Sequence, residues 1–181
     1  MIPTPPLRLR NRLAETILGA LTDPEARREL EADDFAWLGD ARPEDAAIVR
    51  ARAQRARQAL STCPPLAAAP SLDQALAAAA ALSDAGLYFE VHELLEPHWT
   101  RSTGAERQAL QGLIQIAVGF QHLANGNVEG ARSLLVDGSA RLRGGRLPGL
   151  ELDRFADAAS LAGLQIVRGS DVVVPKFPRT T

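Results

Sequence analysis

The stretch YFEVHELLEPHWTRSTGAERQALQGLIQIAVGFQH, residues 88–122, decides the fold. Its second half places Leu110, Leu113, Ile114, Ile116, Ala117, Val118 and Phe120 at helical spacing. A helix that apolar is largely buried. Thr103 and Glu106 have the spacing of a capping box, which marks where that helix starts. The first half is a second helix, and the link between them is short enough to favour an antiparallel hairpin.

The same punctuation recurs on either side. Asp23-Pro24 sets a cap before a first-turn proline, and Thr22 with Glu25 also has capping-box spacing. Pro43 can open a long helix to about Leu60, Ser71 pairs with Gln74 in a further capping box, and Asn127 can cap a helix after Gly126. Pro64, Pro65 and Pro70 stop one helix and stiffen the chain before the next. The expected organisation is an N-terminal helical arm (residues 1–60), a Pro-rich connector (61–70), a main helical domain (71–167) and a tail (168–181). Val172-Val173-Val174-Pro175 is β-branched and lacks a second strand to pair with, so the tail is expected to lie extended on the helices. The fold class is all-α: a single bundle of about six to eight helices built on antiparallel hairpins. A weak repeat, with Gly86 to Leu95 aligning on Gly126 to Leu135, supports two stacked hairpins.

Composition narrows the function classes. Lys and Arg number 20 against 22 Asp and Glu, a net charge of −2, so no bulk field recruits nucleic acid or an anionic membrane. No apolar run approaches the roughly 20 residues that span a bilayer. Cys63 is the only cysteine, which excludes an intrachain disulfide or a Cys-based cluster and fits a cytoplasmic protein. Arg50, Arg52, Arg55 and Arg57 read as a solvated face that pairs locally or contacts another subunit, so a homo-oligomer through the N-terminal arm is the expected partner. Arg141, Arg143 and Arg146 are explained by a helix C-terminus.

Residues that can carry chemistry lie in the opening stretch. Residues four apart on a helix are separated by about 40° around its axis, so His92 and Glu96 share a face. Tyr88 and Trp99 extend that stripe, and Glu93 sits at its edge. The order His92-Glu93-Leu94-Leu95-Glu96 resembles the zinc-protease pattern with a carboxylate in place of the second histidine. His92 and Glu96 are therefore candidate ligands for a divalent metal such as zinc, manganese or iron, and Glu93 is the candidate catalytic base. Gln111, Gln115 and His122 form a narrow polar stripe on the apolar helix. Gln111 and Gln115, with Trp99, are the candidate ligand-binding residues; His122 is expected to lie beyond reach. His98 falls on another face and reads as solvated. Pro97 removes a backbone donor, so a bend or break is expected there. Three readings stay open for the cluster: a buried polar network that fixes helix register, a metal or small-ligand site, or metal-free acid–base catalysis.

The signatures Tyr88 to Glu96 with Trp99, Leu110 to Ala117, and His122 to Asn127 resemble the bacterial and archaeal domain-of-unknown-function family numbered 309. The resemblance spans about residues 74–143 and implies a small all-helical bundle without an assigned reaction. It marks Phe89, His92, Glu93, Glu96, Trp99, Gln111, Gly112 and Gln115 as signature positions. Pro97 and His98 depart from the charged or apolar residues of that pattern. The function expected is a metal or small-ligand site between two helices. The alternative is a non-enzymatic helical-hairpin interaction module.

Overall fold

The computed structural model describes residues 1–32, 35–39 and 41–179. Its helices are α1 (Leu7–Thr22), α2 (Pro24–Ala32), α3 (Pro43–Leu60), α4 (Leu72–Asp84), α5 (Tyr88–Arg101), α6 (Gly104–Ala124), α7 (Val128–Arg143) and α8 (Leu152–Arg168), with one 3-10 turn at Ala36–Leu38. No strand occurs among the described residues. From α4 to α8 each helix packs on the next, with α6 between α5 and α7; α1 packs on α2, α3 and α5, and α3 packs on α4. Leu82, Leu87, Leu95, Leu110, Leu113, Ile116, Leu135 and Leu142 are fully buried and form the centre of the core. Among the described residues no helix is long and apolar enough to cross a membrane.

The 40-residue repeat is visible in the turns. Between α4 and α5, Gly86 has φ +75° and the Leu87 amide donates to the Leu82 carbonyl at 2.9 Å. Between α6 and α7, Gly126 has φ +78° and the Asn127 amide donates to the His122 carbonyl at 2.9 Å. Both are left-handed C-terminal turns closed by a bond spanning five residues, a geometry that favours glycine. Each reverses the chain into the next helix.

Several caps follow the sequence reading. Ser71 and Gln74 form the full capping box of α4, and the Asn127 side chain accepts the Gly130 amide on α7. At α2 the expected Asp23 cap forms, with Oδ1 accepting the Glu25 amide at 2.8 Å. Two expected capping boxes do not form. The Thr22 hydroxyl donates back to the Gly19 carbonyl. At α6, Thr103 makes no side-chain cap, and Glu106 accepts instead from the Ser102 hydroxyl.

The α6–α7 contact is unusually close. A Cβ on Gly112 would lie 2.8 Å from the Gly138 carbonyl oxygen and 2.9 Å from Leu142 Cγ. The tail beyond α8 has no regular structure and lies back on the helices. Val173 donates its amide to Gln165 Oε1 at 2.9 Å, the Phe177 ring sits 5.7 Å from Phe155, and Arg179 reaches Asp84 at 2.6 Å.

Candidate metal centre on α5

The burial pattern of α5 decides what it can present. Tyr88, Phe89, Glu90, Val91 and Leu95 are buried. Tyr88 stacks at 5.6 Å on Phe120 of α6, which removes it from the open stripe the sequence suggested. On the side of α5 around Phe89, the side chains of His92, Glu93 and Glu96 are 28%, 37% and 50% exposed. His92 Nδ1 lies 3.4 Å from Glu93 Oε1, and Nε2 lies 3.7 Å from Glu96 Oε2. One donor atom from each of the three residues falls within 4.8 Å of the others. The imidazole is backed by the edge of the Phe89 ring, 6.2 Å away, and the Arg10 guanidinium covers that ring at 4.2 Å.

These separations are longer than hydrogen bonds, so the three side chains are clustered without being locked together. Two ligands on a tetrahedral ion with bonds of about 2.1 Å stand roughly 3.4 Å apart, and His92 Nε2 and Glu96 Oε2 are 3.7 Å apart. The set therefore has the donor chemistry of a cation site: one imidazole, two carboxylates and access to solvent.

Pro97 does not break α5, which runs unbroken through it. The proline lacks the amide that would bond the Glu93 carbonyl. Pro97 is exposed, so water can satisfy that carbonyl.

The other expected site residues are arranged differently. Gln111 and Gln115 are half-buried on α6. No hydrogen bond among the described residues joins either amide to His92 or Glu96, and Gln115 Oε1 is buried without a partner. Trp99 is half-buried, with its indole nitrogen unpaired. Arg107 lies 4.1 Å over the Trp99 ring and donates to the Trp99 carbonyl at 2.8 Å, closing the end of α5. His122 stands apart as expected: its Nδ1 is 2.6 Å from Asn127 Nδ2 in the α6–α7 turn. His98 is half-buried, not solvated, and burial holds its imidazole below the usual value.

Sequence reasoning missed one polar pair. Arg52 of α3 and Glu90 of α5 have side chains only 2% and 1% exposed, and Arg52 Nη2 donates to Glu90 Oε2 at 2.7 Å. Arg52 Nε and Glu90 Oε1 have no partner, so the bridge has a single prong. Burial pushes the Glu90 carboxyl up, against the opposing pull of Arg52. The expected solvated arginine face is corrected here: Arg52 is sealed, Arg55 donates to the Ala85 carbonyl, and Arg57 donates to that of Leu30. The available signal was positional. Arg52 lies three and four residues from Val49 and Ala56, and Glu90 lies three and four from Leu87 and Leu94, so each charge interrupts an apolar stripe.

Residues 76–134 match the family model described as Domain of unknown function (DUF309), a span that contains the whole of α5 and α6. Over those residues the chain resembles that family. No curated protein and no solved structure matches it.

Proposed function

We propose that this chain binds a divalent cation on α5 and presents it to a small ligand at the α5–α6 face. The observation that carries the reading is the clustering of His92, Glu93 and Glu96 donor atoms within 4.8 Å on a solvent-open face. In this reading His92 Nε2 and Glu96 are the ligands, with the four-residue spacing of helical metal pairs. Glu93 lies 3.4 Å from Nδ1, and a contact drawn in to a hydrogen bond there would fix the tautomer that leaves Nε2 free to ligate. As the remaining carboxylate of the cluster, Glu93 would be the candidate catalytic base. Gln111, Gln115 and Trp99 would bind the ligand, with the buried, unpaired Gln115 Oε1 and Trp99 Nε1 as its acceptor and donor once side-chain movement uncovers them. An imidazole with carboxylates suits zinc, manganese or iron. A lone thiol whose pKa is raised by burial, Cys63, fits a reducing cytoplasm.

The interaction-module alternative requires this cluster to be structural glue between α5 and α6, and no hydrogen bond among the described residues ties the two stripes together. The test is calorimetric titration of chelator-treated full-length protein with zinc, manganese and iron(II). One cation per chain is expected, with affinity reduced at least tenfold in His92→Ala and in Glu96→Gln. Absence of binding in the unsubstituted protein, or equal binding in His92→Ala, overturns the reading.

A further inference from the structure

Helix α8 carries apolar side chains on two opposite faces. Phe155, Ala156, Ala159 and Ala162 point inward and are buried. On the opposite face, Leu161 and Leu164 are each 52% exposed, and Val167, about 90° round the helix from them, is 65% exposed. Exposed large apolar side chains in one patch mark an interaction surface more often than a bare surface. Val173, also exposed, is held beside this patch by its amide bond to Gln165.

The charges around the patch identify its occupant. At 100° per residue, Asp157, Leu161, Leu164 and Arg168 fall within a sector of about 60°. That sector points directly away from the buried face. Along the helix they run acid, Leu, Leu, base, with the acid four residues before the first leucine and the base four residues after the second. Turning the helix end for end about its point between Ala162 and Gly163 exchanges Leu161 with Leu164 and Asp157 with Arg168. The face is thus complementary to itself in antiparallel pairing, as a two-fold interface requires. Asp157 holds Arg143 through Oδ1 at 2.9 Å and is 74% exposed, so its second oxygen is open to another guanidinium. Arg168 is exposed and has no ion-pair partner among the described residues.

We propose that the outer face of α8 is a homodimer interface, in which two copies pair antiparallel, with Leu161 of one copy against Leu164 of the other and Asp157 against Arg168 at both ends. A single two-helix contact lies at the small end of specific interfaces, below about 1,200 Å² in total, so the dimer is weak and salt-sensitive. This inference does not depend on the cation site.

Sedimentation velocity of the full chain over a concentration series tests it. The unsubstituted protein is expected to shift from monomer to dimer as concentration rises, and to dissociate as salt is raised. Leu161→Asp should abolish the shift, with an unchanged melting curve showing that the fold survives. Asp157→Arg and Arg168→Asp should each weaken association about tenfold or more, because each places like charges together. The double variant carrying both reversals restores acid against base and should restore dimerisation. A monomer at every concentration overturns the proposal. So does a dimer that Leu161→Asp leaves intact, which would place the interface elsewhere, as on the N-terminal arm. Failure of the double variant to recover would refute the antiparallel register.

Discussion

Replacing Arg52 with methionine keeps most of the side-chain volume and removes the guanidinium that bonds a sealed carboxylate. The bond it breaks is 2.7 Å long, between side chains 2% and 1% exposed. At that distance and an effective dielectric of 20 the attraction is about 6 kcal/mol. Desolvating two ions costs several kcal/mol each, so the intact pair contributes little net stability. Breaking it is different, because Glu90 is then left buried and unpaired, at a cost of about 3–5 kcal/mol. For a chain of this length that corresponds to a melting point lower by roughly 6–20 °C. Urea denaturation at neutral pH measures it directly. The double variant Arg52→Met/Glu90→Leu removes both charges and should return to within about 1 kcal/mol of the original stability, because a well-packed apolar pair replaces a bridge with two unsatisfied atoms. The pH dependence has a definite sign. Burial already raises the Glu90 carboxyl, and Arg52 opposes that rise, so losing Arg52 raises it further. A carboxyl raised on folding favours the fold below its unfolded value, about 4.3, and that contribution is lost as pH rises through the folded value. The Arg52→Met deficit should therefore be full at neutral pH and shrink as pH falls toward that range. A deficit below about 1 kcal/mol, a deficit flat in pH, or a double variant worse than either single one would refute this account.

Gly112→Ala tests the close approach of α6 and α7. In an exposed helix alanine gains about 1 kcal/mol over glycine. Here the new Cβ meets the Gly138 carbonyl at 2.8 Å, and overpacking against backbone costs about 1–3 kcal/mol. The net effect on a thermal melt should be a loss, and a stabilised variant would sink the packing argument. Ser71→Ala removes half of the α4 capping box and should cost about 1 kcal/mol in urea. Ser71→Asn keeps an acceptor and should recover most of it, whereas equal losses would show that the hydroxyl does not act as a cap.

Helix starts were legible wherever a short-range rule applied. Pro43 opens α3, and Ser71 and Asn127 cap their helices, because each of those interactions spans four residues or fewer. The rule failed at two capping boxes, where the Thr22 hydroxyl bonds the Gly19 carbonyl and Glu106 takes the Ser102 hydroxyl instead. The repeat was legible because both copies depend on a glycine at positive φ. Within the candidate site, local spacing brought His92, Glu93 and Glu96 together, since one turn of α5 carries all three. Whether a charge is sealed was not legible, because burial of Glu90 depends on where α3 lies, and α3 is almost forty residues away in sequence. The expected break at Pro97 does not occur: Pro97 is exposed, so water can replace the missing amide at the Glu93 carbonyl, and the helix continues.

The anchoring of α5 also predicts how the cluster should behave when it is removed. Tyr88 on Phe120, Arg10 on Phe89 and Arg52 on Glu90 hold the helix from three sides, while Val91 and Leu95 fill the core. None of those contacts involves a charged group of His92, Glu93 or Glu96. A partly exposed pair of this kind contributes about 0.3–0.5 kcal/mol, and spacings of 3.4 and 3.7 Å place these pairs no higher than that. Chelator-treated His92→Ala should therefore melt within about 2 °C of the unsubstituted protein, and differ from it only when a cation is added and stabilises the original chain alone. A melting point that collapses in the absence of metal would instead make His92 part of the framework. That outcome would shift the weight to the interaction-module reading, because a histidine that holds two helices together is not free to give a nitrogen to an ion.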